Sequence, residues 1–165
     1  MSNQTAQRSL PAGWHWVKLK DTGAFEAGGT PSKERSDYWN GGIPFVTGAD
    51  ITDLYVARAN ARAYLSKDGL HSGKTAVCQV GDVLIVTRTR VGRCGIAEEI
   101  MGASQDITAF RCGPEMDREF LCRYLQSISK YLIDSCRGAT IQGRRMRRPY
   151  MCRRRTDQNP DPSGP

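Results

Sequence analysis

The pattern that most constrains this chain is a continuous apolar face on a predicted helix over residues 117–136. Apolar side chains recur there at the spacing that places them on one side of a helix: Leu121, Leu125, Ile128 and Leu132. Asp117 is suited to cap the first turn, and Gly138 is suited to the left-handed residue that ends a helix. The sequence therefore predicts one amphipathic helix near the C-terminal side of the fold.

The residues before this helix have the character of β-strands. Residues 83–87 are rich in β-branched side chains and follow the turn pair Gly81-Asp82, which predicts a strand. Residues 90–95 then turn the chain into Ile96, so we expect a hairpin whose tip carries arginines. A further strand is predicted over residues 107–112.

Length and charge suggest one domain followed by a tail. A chain of 165 residues has room for one domain with a real core. The formal charge is +7, but residues 144–165 alone contain seven arginines and two aspartates, so the basic excess says little about the domain. We expect a flexible segment over residues 1–9, a domain over residues 10–142 and a disordered Arg- and Pro-rich tail over residues 143–165.

Several classes of protein are disfavoured by what the sequence contains. The six cysteines include no Cys-x-x-Cys pair and lie near no pair of histidines, so we expect no metal site. There is no signal-peptide pattern at the N-terminus, and no apolar run is long enough for a membrane helix. These features predict a cytoplasmic protein, without membrane contact, whose cysteines are reduced and act as small core residues.

No grouping of residues predicts catalysis. Residues 69–75 superficially resemble a phosphate-binding loop, but the spacing is one residue short and no helix pattern follows. His15 and His71 are the only histidines, and neither has neighbours that indicate a triad. We therefore predict a binding protein without a catalytic site or a cofactor, rather than an enzyme.

The candidate binding residues lie on predicted loops and strand ends. They combine positive charge with hydroxyl groups, a mixture that can contact phosphates and base edges: Lys33, Arg35, Thr87, Arg88, Arg90 and Arg93. The alternative is an ordinary solvated surface. Tyr38 and Trp39 could stack on a base, but large aromatic side chains more often anchor a core, and we favour that interpretation.

An ordered series of short motifs gives a family resemblance over about residues 10–142. Each motif is weak alone, but their order and spacing are specific: Leu10-Pro11-Ala12-Gly13-Trp14, Gly29-Thr30-Pro31-Ser32, Tyr38-Trp39, Gly42-Ile43-Pro44-Phe45-Val46, Asp50-Ile51, Leu65-Ser66, Gly69-Leu70, Gly81-Asp82-Val83-Leu84, Val91-Gly92, Gln105-Asp106 and Gly138-Ala139-Thr140. Together they resemble a target recognition domain from the specificity subunit of type I restriction-modification enzymes.

This resemblance implies a mixed α+β domain with a curved, mixed or antiparallel sheet. Such a domain reads one half of a split double-stranded DNA target through loops that enter the major groove. The methylation and restriction subunits of the system would be its partners and would carry the catalysis. The resemblance supplies an architecture but no list of base contacts.

The chain departs from the family pattern after Gln142, where Arg and Pro replace an apolar segment and the spacer helix. A second recognition domain is also absent. We therefore expect a frameshifted or truncated gene, whose product could pair with a second copy of itself or with another half-subunit. The alternative function is a degenerate or protein-docking module that binds a methylation subunit without useful DNA affinity.

Overall fold

The computed structural model describes residues 14–136 and 150–154. The strands in these ranges, numbered in chain order, are β1 Trp14–Lys18, β2 Gly23–Ala27, β3 Ile43–Val46, β4 Tyr55–Val56, β5 Ala63–Leu65, β6 Ala76–Cys78, β7 Val83–Val86, β8 Cys94–Ala97, β9 Met101–Ala103, β10 Ile107–Cys112 and β11 Tyr150–Arg154. The helices are α1 Lys67–Leu70, α2 Arg118–Ser127 and α3 Ser129–Cys136. This is the mixed α+β architecture that was predicted.

Most of the strands form two mixed sheets. The larger has the order β2-β10-β7-β8-β4, and the smaller has the order β5-β3-β9-β6. Both combine antiparallel ladders with one parallel pair, β4 with β8 and β3 with β9. The curved sheet implied by the resemblance is thus divided into two.

Burial on both faces of β7 explains why its sequence is continuously apolar. Val83 and Ile85 belong to the core cluster that also contains residues of α2 and α3. Leu84 and Val86 belong to a second cluster that joins the larger sheet to β3, β6 and β9 of the smaller one. The larger sheet therefore lies between the helices α2 and α3 on one side and the smaller sheet on the other, and all four residues of β7 are buried.

The predicted strands and hairpin are confirmed. The strand β10 has the predicted bounds, and β7 is one residue shorter than predicted. The strands β7 and β8 are antiparallel neighbours joined by the predicted arginine-containing loop. Local sequence patterns were sufficient here because these strands are long enough to show their composition.

The predicted helix is divided at Ile128. Asp117 caps α2 as predicted, accepting a hydrogen bond from the Phe120 backbone N–H at 2.6 Å. At the other end of α2 the Ser127 hydroxyl donates to the Tyr124 carbonyl at 2.7 Å, a side-chain bond of the kind that bends helices. The apolar face continues across the break, since Leu125 and Leu132 are both buried. The interpretation of Gly138 as a cap lies outside the described residues.

Five residues of the predicted tail form a strand. Tyr150–Arg154 pair antiparallel with Trp14–Lys18. Disorder was predicted for residues 143–165, and for these five residues the structure shows a strand instead. The tail was predicted from its Arg and Pro content, and that criterion overlooked the strand-compatible run Tyr150-Met151-Cys152. The rest of the tail and residues 1–9 lie outside the described residues, so the proposed domain boundaries remain predictions.

Buried cysteines lead to a testable expectation about thiol reactivity. Cys78, Cys94 and Cys122 are buried and free. Burial raises the pKa of Cys78 to about 12, and a hydrogen bond with Cys122 together with burial raises that of Cys94. Because only the thiolate reacts, we expect Cys78 and Cys94 to resist a disulfide reagent at pH 8 until urea unfolds the chain. Cys122 should resist it as well, because its buried side chain is not accessible to the reagent. Mass spectrometry of labelled peptides would test this, and rapid labelling of Cys78 in the folded protein would contradict it.

Candidate nucleic-acid interface

One turn lies at the centre of a surface built from four loops. We call residues 103–106 the central turn. The four loops are residues 28–30, 47–50, 74–75 and 87–93. We call these loops and the central turn together the loop edge. The Ser104 N–H donates to the Val46 carbonyl at 2.9 Å, and the Thr87 N–H donates to the Asp106 carbonyl at 2.8 Å. Backbone hydrogen bonds thus attach the turn to β3 on one side and to the end of β7 on the other.

The glycines of residues 28–30 allow the chain to approach this turn closely. The Gly28 N–H donates to the Ile107 carbonyl at 2.9 Å, and the Gly29 N–H donates to the Ala103 carbonyl at 2.9 Å. A Cβ atom on Gly28 would lie 2.1 Å from the Ser104 carbonyl oxygen. Only glycine fits at this position, which explains the Gly-rich stretch in physical terms.

The arginine-containing loop is closed at its base and open at its tip. The Val86 N–H donates to the Arg93 carbonyl at 2.8 Å, and the Gly92 N–H donates to the Val86 carbonyl at 3.1 Å. Gly92 has a φ of +89° and packs against Ser129, at the junction of α2 and α3. The base of residues 87–93 is therefore held by β7 and by the helices.

The tip of this loop presents two arginines without a protein partner. Arg88 and Arg90 are exposed, and within the described part of the chain neither guanidinium takes part in a hydrogen bond or an ion pair. Arg93 is exposed as well, and its guanidinium donates to the Ile51 carbonyl at 3.2 Å. Thr87 is half-buried, and its hydroxyl donates to the Asp106 carbonyl at 3.3 Å. Arg88 and Arg90 are thus the arginines of this loop whose guanidinium donors all remain available.

The negative charge of Asp50, in one loop of the loop edge, is neutralised by internal contacts. Asp50 is buried and accepts hydrogen bonds from both the backbone N–H and the hydroxyl of Thr47 at 2.8 Å. Its other carboxylate oxygen is paired with Arg62 at 2.5 Å. The carboxylate that orders residues 47–50 therefore has its charge balanced within the protein.

Lys33 and Arg35 lie on a different segment from the arginine loop. Both are exposed on the segment before Tyr38, and that segment packs against α1, where the Ser66 N–H donates to the Tyr38 carbonyl at 2.9 Å. Arg35 makes a bidentate contact with Asp37 at 2.7 and 2.9 Å and stacks over the Tyr38 ring at 4.6 Å. In the described ranges no hydrogen bond or ion pair joins this segment to residues 87–93.

The hydrogen-bonded pair of Arg35 and Asp37 should be detectable when the Asp37 carboxyl is titrated. The hydrogen bond from Arg35 lowers the pKa of the Asp37 carboxyl, so the contact persists above pH 4 and is lost as the pH falls through that lowered value. In the variant Arg35→Ala we expect the pKa of Asp37 to rise toward its ordinary value of 3.8. Carboxyl carbon NMR would measure it, and an unchanged Asp37 titration would show that the contact is not formed in solution.

The other sequence-based interpretations are resolved as follows. Trp39 is half-buried, meets the Phe45 ring edge-on at 5.2 Å and donates its indole N–H to the Ser32 carbonyl, as expected of a core anchor. Lys74 and Thr75 lead into β6 rather than into a helix, so the resemblance to a phosphate-binding loop ends there. Sequence reasoning missed the hydrogen bond from the Thr30 hydroxyl to the Gln105 side-chain oxygen, because 75 residues separate the two.

Two negative findings apply to the described residues only. They contain no group of three or more His, Cys, Asp or Glu side chains placed to hold a metal ion. None of the helices within them is both long enough and apolar enough to cross a bilayer.

Comparison with known sequences identifies similar proteins. A family model described as the type I restriction modification DNA specificity domain matches residues 11–147. The specificity subunit of the MjaIX type I restriction enzyme from Methanocaldococcus jannaschii is 26% identical over 138 residues, covering 80% of this chain and 31% of that protein. The HindI specificity subunit from Haemophilus influenzae is 25% identical over 134 residues, covering 79% of this chain and 29% of that protein. The chain thus spans about a third of the length of these relatives.

Solved structures show the same fold. A chain from a study of complex assembly in the type I R-M system aligns with a TM-score of 0.69 at 25% identity, covering 90% of this chain and 36% of that one. The HsdS subunit from Thermoanaerobacter tengcongensis aligns with a TM-score of 0.64 at 25% identity, covering 90% of this chain and 35% of that one.

Proposed function

The chain belongs to the family of type I restriction modification DNA specificity domains, and we propose that it reads one half of a bipartite double-stranded DNA target. As a specificity domain it is not an enzyme. It contributes sequence recognition, and methylation and cleavage are carried out by partner subunits of the same system.

The observation that carries this proposal is that Arg88 and Arg90 are exposed and have no partner among the described residues, on a loop whose base is fixed. Arginine donors are suited to the two acceptors that guanine presents in the major groove. A loop fixed at its base by backbone bonds also holds these donors in place before DNA arrives, which lowers the entropic cost of binding.

The other candidate residues take supporting roles in this proposal. Arg93 and Thr87 hold the base of the loop through their bonds to the Ile51 and Asp106 carbonyls, and Arg93 keeps further donors for phosphate. Lys33 and Arg35 contact the DNA backbone at the periphery, where positive charge adds affinity without sequence information.

A bipartite target has two halves. Reading both of them requires a second recognition domain beside the one that the family model matches over residues 11–147. We propose that a second copy of this chain or a separate half-subunit supplies it, and that the methylation and restriction subunits bind the assembled pair. A lone domain contacts half of the target and therefore binds it weakly.

The test is selection from a random-sequence duplex library at two salt concentrations. The full chain is compared with a variant in which arginines of the tail are replaced by glutamine: Arg144, Arg145, Arg147 and Arg148. Enrichment of one short motif by both proteins would support the proposal. Binding that requires the tail arginines, lacks a motif and disappears with salt would contradict it, because such binding reflects counterion release alone.

A second candidate, docking on a methylation subunit without useful DNA affinity, has an observation in its favour. Tyr55, Val80 and Ile100 are exposed to 45%, 64% and 47% and flank the end of the β7–β8 hairpin opposite residues 87–93. A protein partner would cover these side chains, and contiguous exposed apolar surface is typical of protein interfaces. Co-purification with a methylation subunit, combined with equal binding to all DNA sequences, would favour this candidate.

A further inference from the structure

Gln105 occupies the exposed tip of the central turn, and the backbone beneath it is fixed. The Ile107 N–H donates to the Ser104 carbonyl at 3.0 Å, and the Asp106 N–H donates to the Ser104 hydroxyl at 3.3 Å. The Gln105 side chain is oriented as well, since its oxygen accepts a hydrogen bond from the Thr30 hydroxyl. An exposed amide held by a second loop is more ordered than an ordinary surface glutamine, which loses rotamer entropy when it binds.

Lys74 lies beside this turn on the side away from β7. The Thr75 hydroxyl donates to the Ala103 carbonyl at 2.8 Å, and the Gly29 N–H donates to the same carbonyl. Gly29 packs so closely that a Cβ atom there would lie 1.8 Å from the Lys74 carbonyl oxygen. Ala103 is two residues from Gln105, a span of at most about 7 Å, so the backbone of Lys74 lies close to the central turn that carries Gln105.

Among the described residues two donor groups remain available at this place, beside the carboxylates of Glu26 and Asp106. Lys74 is exposed, and in residues 14–136 its ammonium makes no recorded hydrogen bond or ion pair. The carboxylate of Glu26, which lines an open groove together with Lys74, accepts a hydrogen bond from the Val77 N–H at 3.2 Å. Because the Gln105 oxygen is engaged by Thr30, the amide presents chiefly its NH₂ group to solvent.

This donor pattern selects its ligand. Phosphate oxygens accept from N–H donors and are favoured further by a cation, whereas reading adenine also uses the amide oxygen, one of whose two lone pairs is occupied by Thr30. We infer that the Gln105 side-chain Nε2 and the Lys74 Nζ bind the sugar-phosphate backbone of one strand. This contact sets the register in which residues 87–93 reach the bases. The inference rests on the proposed DNA-binding function and adds its backbone anchor.

The test uses the full chain and three variants: Lys74→Ala, Gln105→Ala and Thr30→Val. Each is measured by library selection and by affinity for random duplex at several salt concentrations. We expect Lys74→Ala to weaken binding to all sequences alike and to reduce the magnitude of the salt slope by about 0.9, the value for one phosphate contact. Gln105→Ala should lower affinity about tenfold with the slope unchanged, because a neutral donor releases no counterion.

The Thr30 variants test whether the Thr30 hydroxyl positions the Gln105 amide for its contact with DNA. Thr30→Val removes the hydroxyl and should reproduce part of the Gln105→Ala defect, whereas Thr30→Ser should restore wild-type affinity. Lys67→Ala and Gln79→Ala are the matched controls, since both residues are exposed away from the central turn. A melting temperature equal to that of wild type establishes that each variant is folded.

The outcomes distinguish this inference from the function on which it rests. If wild type selects a motif and the Gln105 variant loses the preference at one position, Gln105 reads a base and the backbone anchor is wrong. If wild type selects a motif and neither Gln105→Ala nor Lys74→Ala changes affinity, the inference alone fails. If wild type does not bind DNA, the proposed function fails, and the anchor fails with it.

Discussion

Replacing Arg88 and Arg90 together with alanine will lower the affinity of this protein for its selected DNA motif by about 30-fold or more. Both guanidinium groups are exposed and lack protein partners in the described residues, so their removal leaves no buried group unsatisfied. Each base-reading arginine is worth roughly 1–3 kcal/mol, and about 1.4 kcal/mol is a factor of ten in affinity. Titration of a fluorescent duplex carrying the motif, with random duplex as competitor, measures the loss.

The control must remove the same charge from another surface. Arg123→Ala with Lys20→Ala does so, because both residues are exposed and make only weak surface ion pairs, at 3.8 Å and 3.7 Å. We expect this control to change affinity by less than threefold at moderate salt, roughly the effect of distant charge. Equal losses in the two double variants would mean that residues 87–93 do not read bases and that only net charge matters.

Replacing Gly28 with alanine will destabilise the fold by about 3 kcal/mol, at the upper end of what overpacking costs. The added Cβ would lie 2.1 Å from the Ser104 carbonyl oxygen, 2.6 Å from that of Ile107 and 2.8 Å from that of Ala103. These are backbone atoms, so no side-chain rotation can relieve the clash. Urea denaturation would show the loss as a lower midpoint with an unchanged slope.

Gly42→Ala is the matched control for this substitution. Nothing lies within 4 Å of a Cβ atom built on Gly42, and its φ is not positive, so we expect a change within about 0.5 kcal/mol. Gly28→Ala should also reduce DNA binding, because the atoms it displaces carry the loop edge. Equal stability of the two variants would contradict the close packing of residues 28–30 on the central turn.

Sequence patterns predicted the parts of the fold that are locally determined. The strands β7 and β10 were evident because four to six consecutive residues share a β-type composition. The strands β4, β5, β6 and β9 contain only two or three residues each, which is too short to show a period. The parallel pairing of β3 with β9 joins residues more than fifty positions apart, and no local pattern reports it.

The candidate site also combines residues that local sequence patterns identify with residues that only the tertiary fold brings together. Arg88 and Arg90 could be nominated because a hairpin tip is a local feature. The sequence placed Arg35 in the same set, but it did not reveal that Asp37 occupies its guanidinium. Lys74 was set aside with the apparent phosphate-binding loop, and Gln105 was known only as part of a motif. Their importance arises from contacts across the central turn, which are formed by the tertiary fold.

The attachment of the loop edge through main-chain atoms has a consequence for how such domains diversify. The bonds that join Thr87 to Asp106 and Gly92 to Val86 are made by backbone N–H and carbonyl groups, which every residue except proline provides. Residues 88–90 can therefore change identity without disturbing their own support. If residues 88–90 read bases as we propose, substitutions at this tip alone would give a new DNA target while the backbone bonds that support the loop stay in place.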